Sequence, residues 1–141
     1  MRIAGSTISG NNGWGAANIG TSAFPASMVM TNSTVSGNTR NGIWNTWSVS
    51  LNNVTIAYNA GPGGGIRMPL TTTAVLTMVN TIVAANTDPA GLVPDCAGYV
   101  VSGGYNLLGN NQGCNFTPAG GTDLVGTAGS PILPLLALME I

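Results

Sequence analysis

Short stretches in which aliphatic and polar residues alternate recur along this chain, each closing on asparagine. Five segments carry the pattern: GSTISGN (5–11), NSTVSGN (32–38), NVTIAYN (53–59), NTIVAAN (80–86) and GYNLLGN (104–110). The fourth place is always aliphatic, as Ile8, Val35, Ile56, Val83 and Leu107, and the last is always Asn11, Asn38, Asn59, Asn86 or Asn110. Successive asparagines stand 27, 21, 27 and 24 residues apart. A period of about 25 with variable loops suits a β-solenoid coil better than a helical repeat.

Period-2 alternation turns one set of side chains inward on each short strand. The lead-in segments alternate too, through Met28 and Met30, Val49 and Leu51, then Leu76 and Met78. An asparagine at a fixed corner tolerates a left-handed turn and bonds its own backbone. Stacked coil on coil, such asparagines form a ladder, and Asn32, Asn53 and Asn80 suggest a second one. Asn18-Ile19-Gly20, Gly42-Ile43-Trp44 and Gly65-Ile66-Arg67 read as a further short strand reached through a glycine-rich corner. No window has the i, i+3, i+4 pattern of an amphipathic helix. The expected fold is all-β, a parallel β-helix of about five coils with almost no helix. It occupies residues 1–127, and 128–141 form an apolar C-terminal tail that is a candidate cap.

Charge changes the picture chiefly by its scarcity. Only 5% of the 141 residues are charged, against roughly 25% in an average soluble domain. Asparagine and threonine, 16 of each, supply the polarity. A net charge of −1 provides no basic footprint for nucleic acid or anionic lipid. The apolar run 131–139 is too short for a membrane span. Histidine is absent, which removes the commonest general base and metal ligand. No cofactor and no metal site are expected, since Asp88, Asp95 and Asp123 are dispersed and two cysteines without histidine make a poor zinc site.

NSTVSGN and NTIVAAN, followed by PDCAGYVVSGGYNLLGNNQGCNF and TDLVGT, resemble bacterial surface and secreted right-handed β-helix repeat proteins. These are the pectate-lyase-like and polymorphic-outer-membrane-protein-like chains, and the likeness runs from residue 5 to about 127. It implies a right-handed solenoid, secretion or surface display, and often adhesion or carbohydrate contact. No leader is visible, the chain opens directly on a repeat, and such proteins usually continue past this C-terminus. A truncated fragment is therefore expected. The resembling proteins carry a cysteine pair matching Cys96 and Cys114. In an oxidising compartment a bridge between them stabilises by roughly 3 kcal/mol; the alternative is two free buried thiols.

Asn86-Thr87-Asp88 resembles the triplet that opens the catalytic region of polygalacturonase-like β-helix hydrolases. The adjacent acids, the histidine and the following Arg-Ile-Lys of that pattern are missing here. Glycoside hydrolysis needs two carboxylates roughly 5–10 Å apart. Asp88 and Asp95, with Arg67 as the central cation, are the catalytic candidates if the chain is an enzyme. The plainer reading makes Asn86 a ladder residue and Asp88-Pro89 a turn.

Trp14, Trp44 and Trp47 are the candidate carbohydrate-binding residues. Trp14 and Trp44 lie on one side of neighbouring coils, with Arg67 in the next; the plainer reading has them filling corners. Thr7, Thr34 and Thr55 form a short outward column of the kind that binds ice, although β-propensity alone accounts for threonine there. The leading expectation is a secreted or surface-displayed solenoid with a structural, adhesive or carbohydrate-binding role. Its expected partners are a polysaccharide and, through the solenoid ends, a second copy. A polysaccharide hydrolase or lyase is the alternative, and ice binding the second alternative.

Overall fold

The computed structural model describes residues 1–69, 74–92 and 94–133. Over these the chain winds as a parallel β-solenoid of about four turns, without helix. Each turn has three faces. The first is built from β1 (Arg2–Ala4), the leading halves of β4 (Ser27–Ser36) and β6 (Ser48–Ala57), β8 (Val75–Val79), the end of β10 (Cys96–Ser102) and β12 (Cys114–Thr117). The second takes β2 (Thr7–Ser9), the trailing halves of β4 and β6, β9 (Ile82–Ala84), β11 (Leu107–Leu108) and β13 (Leu124–Val125). The third takes β3 (Ala16–Asn18), β5 (Ile43–Asn45), β7 (Ile66–Arg67) and the start of β10. All ladders between these strands are parallel.

The register turns the sequence repeat into core columns. Met28, Val49, Leu76 and Val100 stack on the first face. Ile8, Val35, Ile56, Val83, Leu108 and Val125 stack on the second. Ala16, Ile43, Ile66 and Cys96 stack on the third. Nearly all of these side chains are buried, and burying each large one contributes about 1.5–3 kcal/mol.

Two corners need left-handed backbone. Between the first and second faces stand Gly5, Asn32, Asn53, Asn80 and Tyr105, with φ of 56, 50, 57, 50 and 58°. Asn53 Nδ2 donates to Asn32 Oδ1 at 2.9 Å, whereas Asn80 Nδ2 reaches Asn52 Oδ1 instead at 3.5 Å. This second row of asparagines is thus exposed and broken. At the next corner Gly10, Gly37, Tyr58 and Ala85 hold φ of 66, 62, 58 and 58°. The left-handed residue there precedes the ladder asparagine and is not the asparagine itself.

The fifth repeat differs from the reading 104–110. Leu107 pairs with Ile82 and Leu108 with Val83, so the core position is Leu108 and the true repeat lies one residue later. The coil count falls from five to about four, since among the described residues beyond β11 only the partial ladders of β12 and β13 continue the stack. The described part of the tail crosses the last coil, where Ile132 N–H donates to Gly109 O at 2.8 Å. The rest of the candidate cap, 134–141, lies outside the described residues.

Candidate binding groove

Trp44 and Arg67 follow Ala17 in the outward column of the third face. Trp14 enters from the bend before β3. Its ring centroid lies 5.7 Å from that of Trp44, with 26° between the planes. The Arg67 guanidinium carbon sits 5.2 Å from the Trp44 centroid, and that of Arg40 5.5 Å from the Trp14 centroid. Two guanidinium groups and two indoles therefore form one cluster across three coils. Each cation–π contact is worth about 0.5–1 kcal/mol at such exposure, enough to bias the arginine rotamers.

These residues line a groove of about 510 Å³ together with Thr39, Asn41 and Pro62. Its floor is held by Asn41, whose Nδ2 donates to Pro62 O at 2.8 Å and Gly64 O at 3.0 Å. Arg67 Nη1 donates to the same Pro62 carbonyl at 2.9 Å. Gly64 (φ 55°) packs so closely on Pro94 that any Cβ would overlap its carbonyl. That contact accounts for Gly64, while a Cβ on Gly61 would run into the Arg40 and Asn41 backbone.

Arg67 also borders a second groove of about 460 Å³ with Met68, Asp88, Leu92 and Ala97. Asp88 Oδ1 accepts the Ala90 N–H at 3.0 Å, and Gly91 N–H donates to Asp88 O at 2.7 Å; the turn read from Asp88-Pro89 is formed. Arg67 and Asp88 thus share a wall, but Asp95 does not line that groove. Asp95 is 3% exposed and belongs to the interior ladder.

In that ladder, Asn11, Asn38 and Asn59 each donate backbone and side-chain N–H groups to the Oδ1 of the asparagine one coil later. Asn86 makes the same two bonds, both 3.0 Å, to Asp95 Oδ1. The glycines before the third face, Gly15, Gly42 and Gly65, would each drive a Cβ into Asn38, Asn59 or Asn86. In register after Gly65 comes Asp95. Its carboxylate reaches the ladder slot from the glycine position and displaces the next asparagine, so Asn110 only donates its backbone N–H to that carboxylate. Burial pushes the Asp95 carboxyl above its ordinary range, and the hydrogen bonds from Asn86 and Asn110 oppose that only in part.

A further interior row went unread in the sequence. Thr81 N–H donates to Asn106 Oδ1 at 3.0 Å, and Asn106 N–H and Nδ2 donate to Asp123 Oδ1 at 3.0 and 3.1 Å. Ser102 Oγ and Ala119 N–H also donate to Asp123. Desolvation raises the Asp123 carboxyl, but these bonds outweigh it and hold it below its ordinary range. Both interior rows therefore end on a carboxylate, which accepts without requiring an acceptor of its own.

Trp47 stands apart from the other tryptophans. It is half-buried at the corner after β5, its N–H on Asn45 Oδ1 and its carbonyl accepting from Asn45 Nδ2 and Val75 N–H. Thr7, Thr34 and Thr55 are in register as one column, which continues as Ile82, Leu107 and Leu124. Cys96 and Cys114 are joined in a disulfide with Cα atoms 5.4 Å apart. No helix among the described residues is long and apolar enough to cross a membrane. No protein family matches the chain, and neither does any curated protein or solved structure.

Proposed function

We propose that this chain is an extracytoplasmic solenoid module, non-enzymatic, that binds an acidic polysaccharide along its third face. One observation carries the reading: Arg40, Trp14, Trp44 and Arg67 form a single cluster on the wall of an open groove. The indole faces are engaged by each other and by guanidinium groups, so the rings serve less as a sugar platform than as a mount for the arginines. A guanidinium held by stacking presents its N–H fork at reduced entropic cost. Such a fork matches carboxylate or sulfate. The disulfide suits an oxidising compartment.

Titrating the intrinsic tryptophan fluorescence with soluble glycans tests this. Acidic glycans should perturb it, neutral ones far less, and Arg67→Gln with Arg40→Gln should abolish the response. A wild-type chain that responds to no acidic glycan, or a double variant that still responds fully, would sink the reading.

The hydrolase or lyase reading draws its support from Arg67 and Asp88 lining one groove. The expected outcome there is polysaccharide cleavage lost in Asp88→Asn, and undiminished cleavage in that variant removes the site.

A further inference from the structure

The sequence holds two Asn-Gly pairs, Asn12-Gly13 and Asn41-Gly42, and the fold treats them oppositely. We propose that Asn12 is a site of self-modification, at which the folded chain converts an amide into a carboxylate at the rim of the groove, while Asn41 is protected.

The chemistry needs only the chain and water. The Gly13 backbone nitrogen attacks Asn12 Cγ; the new C–N bond closes a five-membered imide as the Cγ–Nδ2 bond breaks. Ammonia leaves, carrying the proton of the Gly13 amide. Water then opens the imide at either carbonyl, giving aspartate, or isoaspartate with the backbone rerouted through the side chain. The balance is asparagine plus water giving carboxylic acid plus ammonia, with nothing oxidised or reduced. Glycine as the following residue leaves the attacking nitrogen unhindered.

Asn12 is exposed in a bend outside any strand; the flanking Asn11 and Gly13 carbonyls accept the Thr39 and Arg40 N–H groups, bonds that do not involve the attacking Gly13 nitrogen. Its Oδ1 accepts the Thr39 hydroxyl at 3.1 Å, which draws electrons from Cγ. Asn41 has the same neighbour in sequence but is 2% exposed. Its amide nitrogen is committed to Pro62 O and Gly64 O, which restrains rotation of the side chain. The converted site lies beside the groove, since Thr39 lines it and Gly13 O accepts the Arg40 N–H at 3.0 Å. A carboxylate there opposes anionic ligands; that consequence alone rests on the function proposed above.

Peptide mapping by mass spectrometry after incubation at mildly alkaline pH distinguishes the two sites. In the folded chain the peptide with Asn12 should gain the amide-to-acid mass difference and split into aspartyl and isoaspartyl forms, while the peptide with Asn41 stays unchanged. In denaturant both should convert. Gly13→Ala should slow conversion at Asn12 severalfold and still fold, because a Cβ there meets nothing within 4 Å and the backbone is not left-handed. Asn12 unchanged in the folded chain, or Asn41 converting as fast as Asn12, overturns the proposal. A loss of glycan binding is not required for it to stand.

Discussion

The Asp95 carboxylate accepts both N–H groups of Asn86 at 3.0 Å, from a position that is glycine in the three preceding coils. Asp95→Ala should leave two buried donors of Asn86 without an acceptor and cost about 3 kcal/mol. Asp95→Asn keeps the Oδ1 acceptor and should cost less. Chemical denaturation of the two variants checks the order; equal losses would mean that an amide oxygen does not replace the carboxylate as acceptor.

Asp95 and Asp123 should act on stability in opposite directions of pH. The folded-state pKa of Asp95 is raised, so its contribution is fullest below the unfolded value and is lost as pH rises through the folded one. The Asp123 value is lowered, so its contribution is present above the unfolded value and is lost as pH falls through the folded one. Asp95→Asn should flatten the decline toward neutrality, and Asp123→Asn the decline into acid. Melting temperature against pH for both variants is the measurement.

Ala85 holds φ of 58°, a conformation that costs a residue with a Cβ roughly 1–2 kcal/mol. Ala85→Gly should therefore stabilise, by about 0.5–1 kcal/mol once the extra freedom of glycine in the unfolded chain is subtracted. A destabilised variant would show that the Ala85 methyl packs better than its strain costs.

Reducing the Cys96–Cys114 bridge should lower stability by roughly 3 kcal/mol, given the 18-residue separation it closes. Cys96→Ser should cost more than Cys114→Ser. Only Cys96 stands in a buried core column, 1% exposed, where a hydroxyl is poorly accommodated. Equilibrium unfolding of both variants and of the reduced protein gives the ranking.

The solenoid was legible because a coil reuses its inward positions. Val35, Ile56 and Val83 share both a sequence place and a column. That Trp14 and Trp44 lie on one side was legible too, since they fall at neighbouring places in successive coils; that the two rings stack on each other was not. The last repeat misled because its asparagine is displaced: Asp95 arrives from another corner to fill the slot, and no local pattern announces that. The inner row of Thr81, Asn106 and Asp123 was hidden by its changing residue types and by Val54, which has no acceptor to offer. Aligning on the left-handed residues of the first corner would have exposed it, but Tyr105 in that position gives no sequence sign of positive φ.

The ladder has a direction. Each amide from Asn11 to Asn59 sends one side-chain N–H to the Oδ1 of the ladder asparagine one coil later, an oxygen that therefore faces back toward the earlier coil; the Nδ2 of Asn38 and Asn59 also donates back to Ile8 O and Val35 O. The row thus adds up as a helix does, with aligned peptide-like dipoles leaving partial positive charge at the later end. Asp95 places a carboxylate there, as an acid does at the start of an α-helix. The acid is matched to the end of the row and not to a particular coil. Adding or deleting whole asparagine coils upstream should lengthen or shorten the dipole without disturbing how it is terminated.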